Sequence, residues 1–170
     1  MATGTATGMA FGYTSSFRMG QLLQHQLRIG HEAMPRSTTL RDAAKLDVWM
    51  ATTFINEVRR VLRQGGYAKV EHEREEGGAF LVGVGGHLYG VGSDFQVSRW
   101  ARGEYAVGCG ADLALGALHG VRAADVGHGR SVGAEDRVLL ALRAAAEWSN
   151  GVRGPFTIVD TKGGDHVEDA

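Results

Sequence analysis

Two segments of the sequence each combine a strand-like run, a turn of small residues and a helix-like run. The first spans residues 12–23 and the second spans residues 103–118. In the first, Thr14-Ser15-Ser16 offers hydroxyl oxygens that can cap the amino terminus of a helix. In the second, Gly108-Cys109-Gly110 stands at the equivalent place. A chain that twice passes directly from strand to helix must combine a sheet with helices that cover it.

Helical periodicity is clearest between residues 37 and 66. Ser37, Thr38 or Thr39 can cap this helix, with Asp42 completing a capping box, and Gly65-Gly66 can end it after about 25 residues. Its inward-facing positions recur at steps of three and four residues: Ala44, Val48, Ala51, Phe54, Ile55, Val58, Val61 and Leu62. An earlier helix is expected to run to about residue 27, and its apolar stripe comprises Phe17, Leu22, Leu23 and Leu27.

Strand-like runs dominate the middle of the chain. Residues 79–84 and 87–91 flank Gly85-Gly86, which predicts a β-hairpin. Residues 105–108 are expected to form a third strand and residues 155–159 a closing strand. Between these two, helices are predicted over residues 113–121 and 134–148, the latter with Val138, Leu142, Ala145 and Ala146 facing inward. Helices grouped in pairs around a block of strands indicate the α+β class.

The remaining segments are polar or lack periodicity. Residues 1–8 are expected to be a flexible stretch, residues 9–160 a single domain and residues 161–170 a disordered tail. The charge run at residues 71–76 predicts a solvated loop.

Composition excludes several classes of function. With 170 residues and a net charge of −1, the chain has neither a basic surface for nucleic acid nor a basic patch for anionic membranes. No apolar run approaches the ~20 residues of a membrane span, and residues 1–12 do not form a secretory signal. The single cysteine, Cys109, permits no intramolecular disulfide. A cytoplasmic location is therefore expected.

The two turns are also the places where chemistry is expected. Unpaired amides at Thr14-Ser15-Ser16 could stabilise an oxyanion, or the segment could be a simple helix cap. Gly108-Cys109-Gly110 could form a phosphate-binding turn, but Leu113 stands where a dinucleotide fingerprint needs Gly or Ala. Cys109 could be a nucleophile, although a buried small thiol is the preferred interpretation. The histidines lack metal-ligand spacing, and neither a metal nor a cofactor is predicted.

Several segments together resemble the proteasome β-subunits and their bacterial relative HslV. The resemblance covers about residues 9–159. It rests on residues 12–23, Gly85-Gly86-His87-Leu88-Tyr89, Ser93-Asp94-Phe95, Gly108-Cys109-Gly110-Ala111-Asp112, residues 144–150 and residues 155–159. It implies a four-layer αββα sandwich of the N-terminal-nucleophile hydrolase type. It also implies threonine-type peptidase activity on peptides or unfolded proteins inside a homo-oligomeric ring, with an ATP-dependent unfoldase as a possible partner.

The resemblance assigns site residues in three groups. Thr14 and Ser15 fall on the oxyanion side. The wall of the substrate pocket comprises Ser16, Phe17 and Gly20. Support around the terminal amine comes from Gly108, Cys109, Gly110, Ser149 and Asn150, with Cys109 where the family has serine.

The chain departs from the family at the segment that carries the nucleophile. In that family the nucleophile is the amino-terminal threonine, tuned by an aspartate and a lysine on the first strands. No segment here matches those strands, and Thr3, Thr5 and Thr7 do not replace them. We therefore expect an N-terminally incomplete fold, inactive as it stands, whose true start lies upstream. The alternatives are a non-catalytic ring-forming or binding subunit and, more remotely, a nucleotide-binding α/β protein.

Overall fold

A computed structural model describes residues 2–4, 8–14, 16–71, 74–128, 131–159 and 165–168. Its largest sheet has five antiparallel strands in the order β1-β2-β5-β6-β7. These strands are β1 (Ala2–Gly4), β2 (Met9–Tyr13), β5 (Phe80–Val84), β6 (His87–Val91) and β7 (Val97–Arg99). The smaller strand pairs are β3 (Lys69–Glu71) with β4 (Arg74–Glu76), and β8 (Phe156–Val159) with β9 (Asp165–Glu168).

The predicted hairpin is confirmed as β5–β6. Its register places Val84 opposite His87 and leaves Gly85 and Gly86 in the turn. Both glycines have positive φ angles, 58° and 79°, which suit the turn that joins strands of right-handed twist.

One face of the five-stranded sheet carries the main core. Alternate residues of β2, β5 and β6 are buried on this face, among them Phe11, Val82 and Tyr89. The same cluster includes Leu22 from helix α1 (Phe17–Gln26), and the ring of Phe11 stacks on Phe54 at 6.2 Å. Burial of these large apolar side chains fixes the helices on this face.

The long helix predicted between residues 37 and 66 is not continuous. It comprises α2 (Ser37–Leu40), α3 (Ala43–Trp49), a π-helical turn (Met50–Phe54) and α4 (Ile55–Gln64). Asp42 is not a capping-box partner but the N-cap itself, since its carboxylate accepts from the amide of Lys45 at 3.3 Å. Gly66, with φ of 68°, follows the helix end as expected.

The π-turn changes which residues face the core. After Phe54 the predicted face is correct, and Ile55, Val58, Val61 and Leu62 are buried. In α3 and at the start of the π-turn the prediction is wrong: Ala44, Val48 and Ala51 are exposed, and Leu46, Trp49 and Met50 are buried instead. A π-turn holds an extra residue, which rotates the preceding helix by about one position.

A second helical layer contains α5 (Ala111–His128) and α6 (Ala134–Trp148). The bounds of α6 are as predicted, whereas α5 is twice as long as expected. Its buried cluster comprises three alanines and one leucine, Ala114, Leu118, Ala141 and Ala145, and α6 also buries Leu139. Of the residues predicted to face inward, Ala145 is buried, but Val138 is 43% exposed. Strand β8 contacts both α6 and β1. The α+β class and the αββα arrangement are confirmed.

Other predicted segments differ from the structure. Residues 105–108, predicted as the strand after the hairpin, do not form a strand. The strand that follows the hairpin is β7. Ser93-Asp94-Phe95 lies in the turn before β7, where Phe95 has φ of 64°. The charge run is not a solvated loop throughout, because the carboxylate of Glu75 on β4 accepts hydrogen bonds from Arg59 and Arg63 at 2.7 and 2.8 Å. Strands β1 and β9 fall within residues 1–8 and 161–170, and the division of the chain into a flexible stretch, a domain and a disordered tail stays a prediction.

Among the described residues, no helix is both long and apolar enough to cross a membrane.

Candidate functional site

The first turn of the candidate site joins β2 to α1. Ser16 is the N-cap, and its hydroxyl oxygen accepts from the amide of Met19 at 3.2 Å. The amide of Ser16 donates to the carbonyl of Thr14 at 2.9 Å, which turns the chain sharply before the helix. The prediction of a helix cap is thus confirmed and assigned to Ser16, while Ser15 lies outside the described residues.

The second turn leads into α5 and lies against the first. Gly108 has φ of 110°, a conformation that other residues rarely adopt. A Cβ atom at Gly108 would lie 3.2 Å from the hydroxyl oxygen of Thr14, a tight contact, so a side chain here would press on Thr14. The two segments that the sequence singled out, about 95 residues apart along the chain, therefore meet through Thr14 and Gly108.

A third segment completes the site from the end of α6. The hydroxyl of Ser149 donates to the sulfur of Cys109 at 3.8 Å. A Cβ atom at Gly151 would lie 2.5 Å from the same sulfur, so glycine there admits the thiol. Cys109 is exposed, and the expectation of a buried thiol is wrong. The sulfur itself lies against Ser149 and Gly151.

The remaining predicted residues occupy different positions around the two turns. Gly110 is buried against Ala145 and Val152, which fixes the start of α5 on α6. Asn150 is exposed in the turn after α6.

On the α1 side, Phe17 is 72% exposed at the first position of the helix, so its predicted place in the apolar stripe is wrong. Gly20 is buried, and a Cβ atom there would overlap the ring of Tyr13. Any effect of Gly20 on a bound ligand must therefore pass through Tyr13.

An ion-pair network, absent from the sequence predictions, holds the loop before Gly108 on both helices of the second layer. Glu104 in that loop accepts from Arg122 of α5 and from Arg137 of α6. Arg137 also donates to Asp125 of α5 at 2.6 Å. Burial opposes ionisation of Glu104, but hydrogen bonds from both arginines outweigh it and lower its pKa. Arg122 and Asp125 stand three residues apart on α5, but their partners, Glu104 and Arg137, lie outside that helix, so this spacing did not signal the network.

A second network joins α3 to the five-stranded sheet. Asp47 accepts from Arg99 at 2.7 Å and from the hydroxyl of Tyr89 at 2.8 Å. Hydrogen bonding to Arg99 lowers the pKa of Asp47 below its ordinary value, and burial raises the pKa of Tyr89 far above its ordinary value. The strands that this network holds on α3 are β6 and β7.

Within the described ranges, no group of three His, Cys, Asp or Glu side chains could hold a metal ion. The groups that converge on the two turns are backbone amides, hydroxyls and one thiol. Such groups can bind the main chain of a peptide and polarise a carbonyl.

No protein-family model and no curated protein sequence matches this chain. It is similar to the structure of Thiobacillus denitrificans BPH in complex with epoxomicin, with a TM-score of 0.66 and 21% identity over 91% of this chain and 74% of that one. A second structure of Thiobacillus denitrificans BPH gives a TM-score of 0.63 and 22% identity over 87% and 72% of the two chains. BPH is a proteasome-like protein, so the likeness shows that this chain has a proteasome-like fold.

Proposed function

We propose that this protein is a subunit of a proteasome-like peptidase assembly and binds an extended peptide across the surface of its two turns. The observation that supports this most directly is the contact of Gly108 with Thr14, with Cys109 and Ser149 beside it. This set of residues, Thr14, Gly108, Cys109 and Ser149, is called the two-turn cleft below. Its position at two helix starts supplies main-chain groups suited to the amides of a peptide.

Each predicted site residue has a place in this proposal. Thr14 and Ser15 form the oxyanion side, and Ser16, Phe17 and Gly20 form the wall for a substrate side chain. Gly108, Cys109, Gly110, Ser149 and Asn150 form the side that would surround the amine of a terminal threonine. The nucleophile is assigned to no described residue, so peptide binding is the core of the proposal.

The second candidate function is that of a non-catalytic ring-forming or binding subunit. The chemistry at Cys109 favours it, because a thiol stands where the resemblance expects serine and is a weaker hydrogen-bond donor. In either form we propose a homo-oligomeric ring in the cytoplasm, with unfolded protein as substrate and an ATP-dependent unfoldase as partner. Multi-angle light scattering tests the ring directly.

The nucleotide-binding alternative is not favoured. The strand pairs of the described sheets are all antiparallel, whereas a dinucleotide site lies at the end of parallel strands. A titration with NADH that shows saturable binding would restore this alternative.

The test of peptide binding compares two glycines. A fluorescein-labelled peptide is titrated with the wild-type protein and with the Gly108→Ala and Gly103→Ala variants, and fluorescence anisotropy is recorded. Both glycines have positive φ angles, but a Cβ atom meets Thr14 only at position 108 and open space at position 103. We expect Gly108→Ala to weaken binding about tenfold, which corresponds to about 1.4 kcal/mol, and Gly103→Ala to leave it nearly unchanged. Equal affinities of all three proteins, or no binding to the wild type, would contradict the proposal.

Hydrolysis is tested separately from binding. The protein is incubated with epoxomicin, the compound bound in the BPH structure, and its intact mass is measured beside its activity on a fluorogenic peptide. A mass increase of one epoxomicin together with peptide cleavage supports the peptidase form. Peptide binding without either supports the non-catalytic form.

A further inference from the structure

A cavity of about 360 Å³ lies on the solvent-facing side of α4. Each side chain that lines it carries N–H donors, and none is negatively charged: Asn56, Arg59, Arg60, Arg63 and Gln64. Its volume falls within the range of about 300–1,000 Å³ that is usual for small-molecule sites. We refer to this cavity as the arginine groove. Three guanidinium groups in one groove suit an anion, because their N–H groups match the oxygens of carboxylate and phosphate.

A buried carboxylate orients two of the three arginines. The side chain of Glu75 is 8% exposed, and its Oε2 atom accepts from Nη2 of Arg59 at 2.7 Å and from Nη2 of Arg63 at 2.8 Å. The Nε atoms of both arginines donate to the same carboxylate at 2.9 Å. The two guanidinium groups are therefore held together before any ligand arrives, which lowers the entropic cost of binding.

Other contacts hold the arginines from further sides. The guanidinium carbon of Arg59 lies 5.7 Å from the centre of the Phe95 ring. Arg60 donates to the carboxylate of Glu57 at 2.5 and 2.8 Å, and to the side-chain oxygen of Gln64. Each arginine of the groove thus has at least one fixed partner, so the groove is an ordered arrangement of charges.

Donors and positive charge remain for a ligand. A guanidinium group has five N–H donors. Within the described part of the chain, the hydrogen bonds of Arg59 and Arg63 use Nε and Nη2, which leaves Nη1 of each for a further acceptor. The three arginines are paired with two carboxylates, those of Glu57 and Glu75, so one positive charge is in excess.

A neighbouring cavity of about 440 Å³ provides a contrast. It shares Asn56 and Arg59 with the arginine groove, but its lining also includes Glu75 and Asp94. Two carboxylates repel an anion at short range. Of the two sides of Arg59, the one that faces the arginine groove is therefore the side suited to an anion.

Phosphate fits the arginine groove better than a carboxylate does. A phosphate monoester carries a charge of about −1.5 to −2 at neutral pH and has three strong acceptor oxygens. A carboxylate carries one charge and two oxygens, and it would compete with Glu57 and Glu75 on equal terms. Arginine also binds phosphate through pairs of parallel charge-assisted hydrogen bonds, which add geometric specificity.

We infer that the arginine groove binds the phosphate group of a small ligand, either inorganic phosphate or a phosphate monoester. The inference does not rest on the proposed peptide binding, because the residues of the arginine groove are separate from those of the two-turn cleft. It assigns a second binding site, for a different class of ligand.

The first test is isothermal titration calorimetry of the whole chain at about pH 7 and constant ionic strength. The titrants are inorganic phosphate, glycerol 3-phosphate and, as the singly charged control, acetate. We expect saturable binding of at least one phosphate ligand and at least about tenfold weaker binding of acetate. Comparison of the two phosphate ligands distinguishes a free ion from an ester.

The second test locates the site with two matched variants. Arg63→Gln removes a 64% exposed guanidinium from the arginine groove, and Arg99→Gln removes an ion-paired guanidinium outside it. Circular dichroism checks that both variants are folded. Loss of charge-assisted hydrogen bonds at position 63 should weaken phosphate binding about tenfold, and the change at position 99 should leave it nearly unchanged.

Nitrogen-15 NMR of the arginine side chains gives a readout that does not depend on the folding of any variant. In the wild-type protein, phosphate should shift the Nε–H resonances of Arg59 and Arg63 and leave that of Arg99 in place. The Arg63→Gln and Arg99→Gln spectra assign two of these resonances.

The outcomes decide the inference independently of the proposed function. Binding of neither phosphate ligand, or acetate binding as tight as phosphate binding, overturns it. So do phosphate binding that Arg63→Gln leaves unchanged and an equal loss of affinity in Arg99→Gln. If the labelled peptide binds while phosphate does not, the two-turn cleft stands and only the phosphate site is overturned.

Discussion

The core on the five-stranded sheet and the layer formed by α5 and α6 are stabilised in different ways. The first buries large side chains completely, including Phe11, Phe54 and Phe80. The second buries alanines and Leu118, and relies on the ion pairs of Arg137 with Glu104 and Asp125. Burial of large apolar side chains supplies most of the stabilising free energy in the first region. Close helix packing and charge pairing stabilise the second region.

This difference bears on the two-turn cleft because each region holds one of its turns. Thr14 follows β2 of the five-stranded sheet, and Cys109 precedes α5 of the helical layer. Changes in the first region should act mainly on global stability. Changes in the second should also move the turn that carries Cys109.

The largest effect is expected from truncation in the large-residue core. Phe54→Ala removes a fully buried ring that stacks on Phe11, and should lower the free energy of unfolding by about 3–5 kcal/mol. Leu118→Ala, in the helical layer, should cost about 2 kcal/mol because its surroundings are small and Leu118 is 8% exposed. Urea denaturation measures both. Equal costs, or a larger cost for Leu118→Ala, would contradict the comparison.

Next in size is the loss of the ion pairs in the helical layer. Arg137→Met leaves the carboxylates of Glu104 and Asp125 without this donor, and should lower the free energy of unfolding by about 1–2 kcal/mol. It should also change the rate at which iodoacetamide alkylates Cys109, because the loop before Gly108 loses an anchor. Arg137→Lys should restore part of both effects, since lysine keeps the charge. A stability change with unaltered alkylation would show that the network does not position the turn.

The ion pairs beside the large-residue core predict an acid response. Hydrogen bonds from Arg63 and Arg59 lower the pKa of Glu75, against the opposing effect of burial. A carboxylate with a lowered pKa in the folded state adds stability that is fully present above its unfolded pKa of about 4.3. That stability is lost as the pH falls through the lower folded value.

The Glu75→Gln variant tests this response. It should be less stable than the wild type by about 1 kcal/mol at pH 7, because the arginine partners are largely exposed. The difference should shrink well below pH 4, when the wild-type carboxylate also becomes neutral. Urea denaturation of both proteins at pH values from 7 to below 4 measures this difference in the free energy of unfolding. A difference that stays constant with pH would show that ionised Glu75 contributes nothing.

The smallest effect is expected at Val48, and it tests the π-turn. Val48 is 64% exposed, so Val48→Ser should change the free energy of unfolding by less than about 0.5 kcal/mol. The matched variant Met50→Ser should cost several times more, because Met50 is fully buried. If the helix were continuous as the sequence predicted, Val48→Ser would be the more damaging substitution of the two.

The sequence predicted well what depends on local signals. The turn glycines Gly85-Gly86 identified the hairpin, and the pattern over residues 134–148 gave the bounds of α6. The hydroxyl run before α1 located the cap at Ser16 within one or two residues. Each of these features is determined by the residues that form it.

What the sequence did not reveal depends on tertiary packing. The π-turn at Met50–Phe54 reverses which residues of α3 are buried, and no local residue signals it. The sulfur of Cys109 lies against Gly151 and Ser149, which come from another segment. The partners of Arg137 come from an adjacent helix and a loop. That the two turns would meet was implied by the resemblance, and their contact through Thr14 and Gly108 became visible only in three dimensions.

The central claim, that a peptide binds in the two-turn cleft, is tested most directly by alkylation of Cys109. This thiol is the single cysteine of the chain and is exposed, so iodoacetamide modification reports on one known place. Intact mass spectrometry follows the rate with and without a saturating amount of the fluorescein-labelled peptide, whose binding is monitored in parallel by anisotropy. We predict that bound peptide slows the alkylation of Cys109 at least about tenfold. An unchanged rate while the peptide is demonstrably bound would place the peptide elsewhere and contradict the claim.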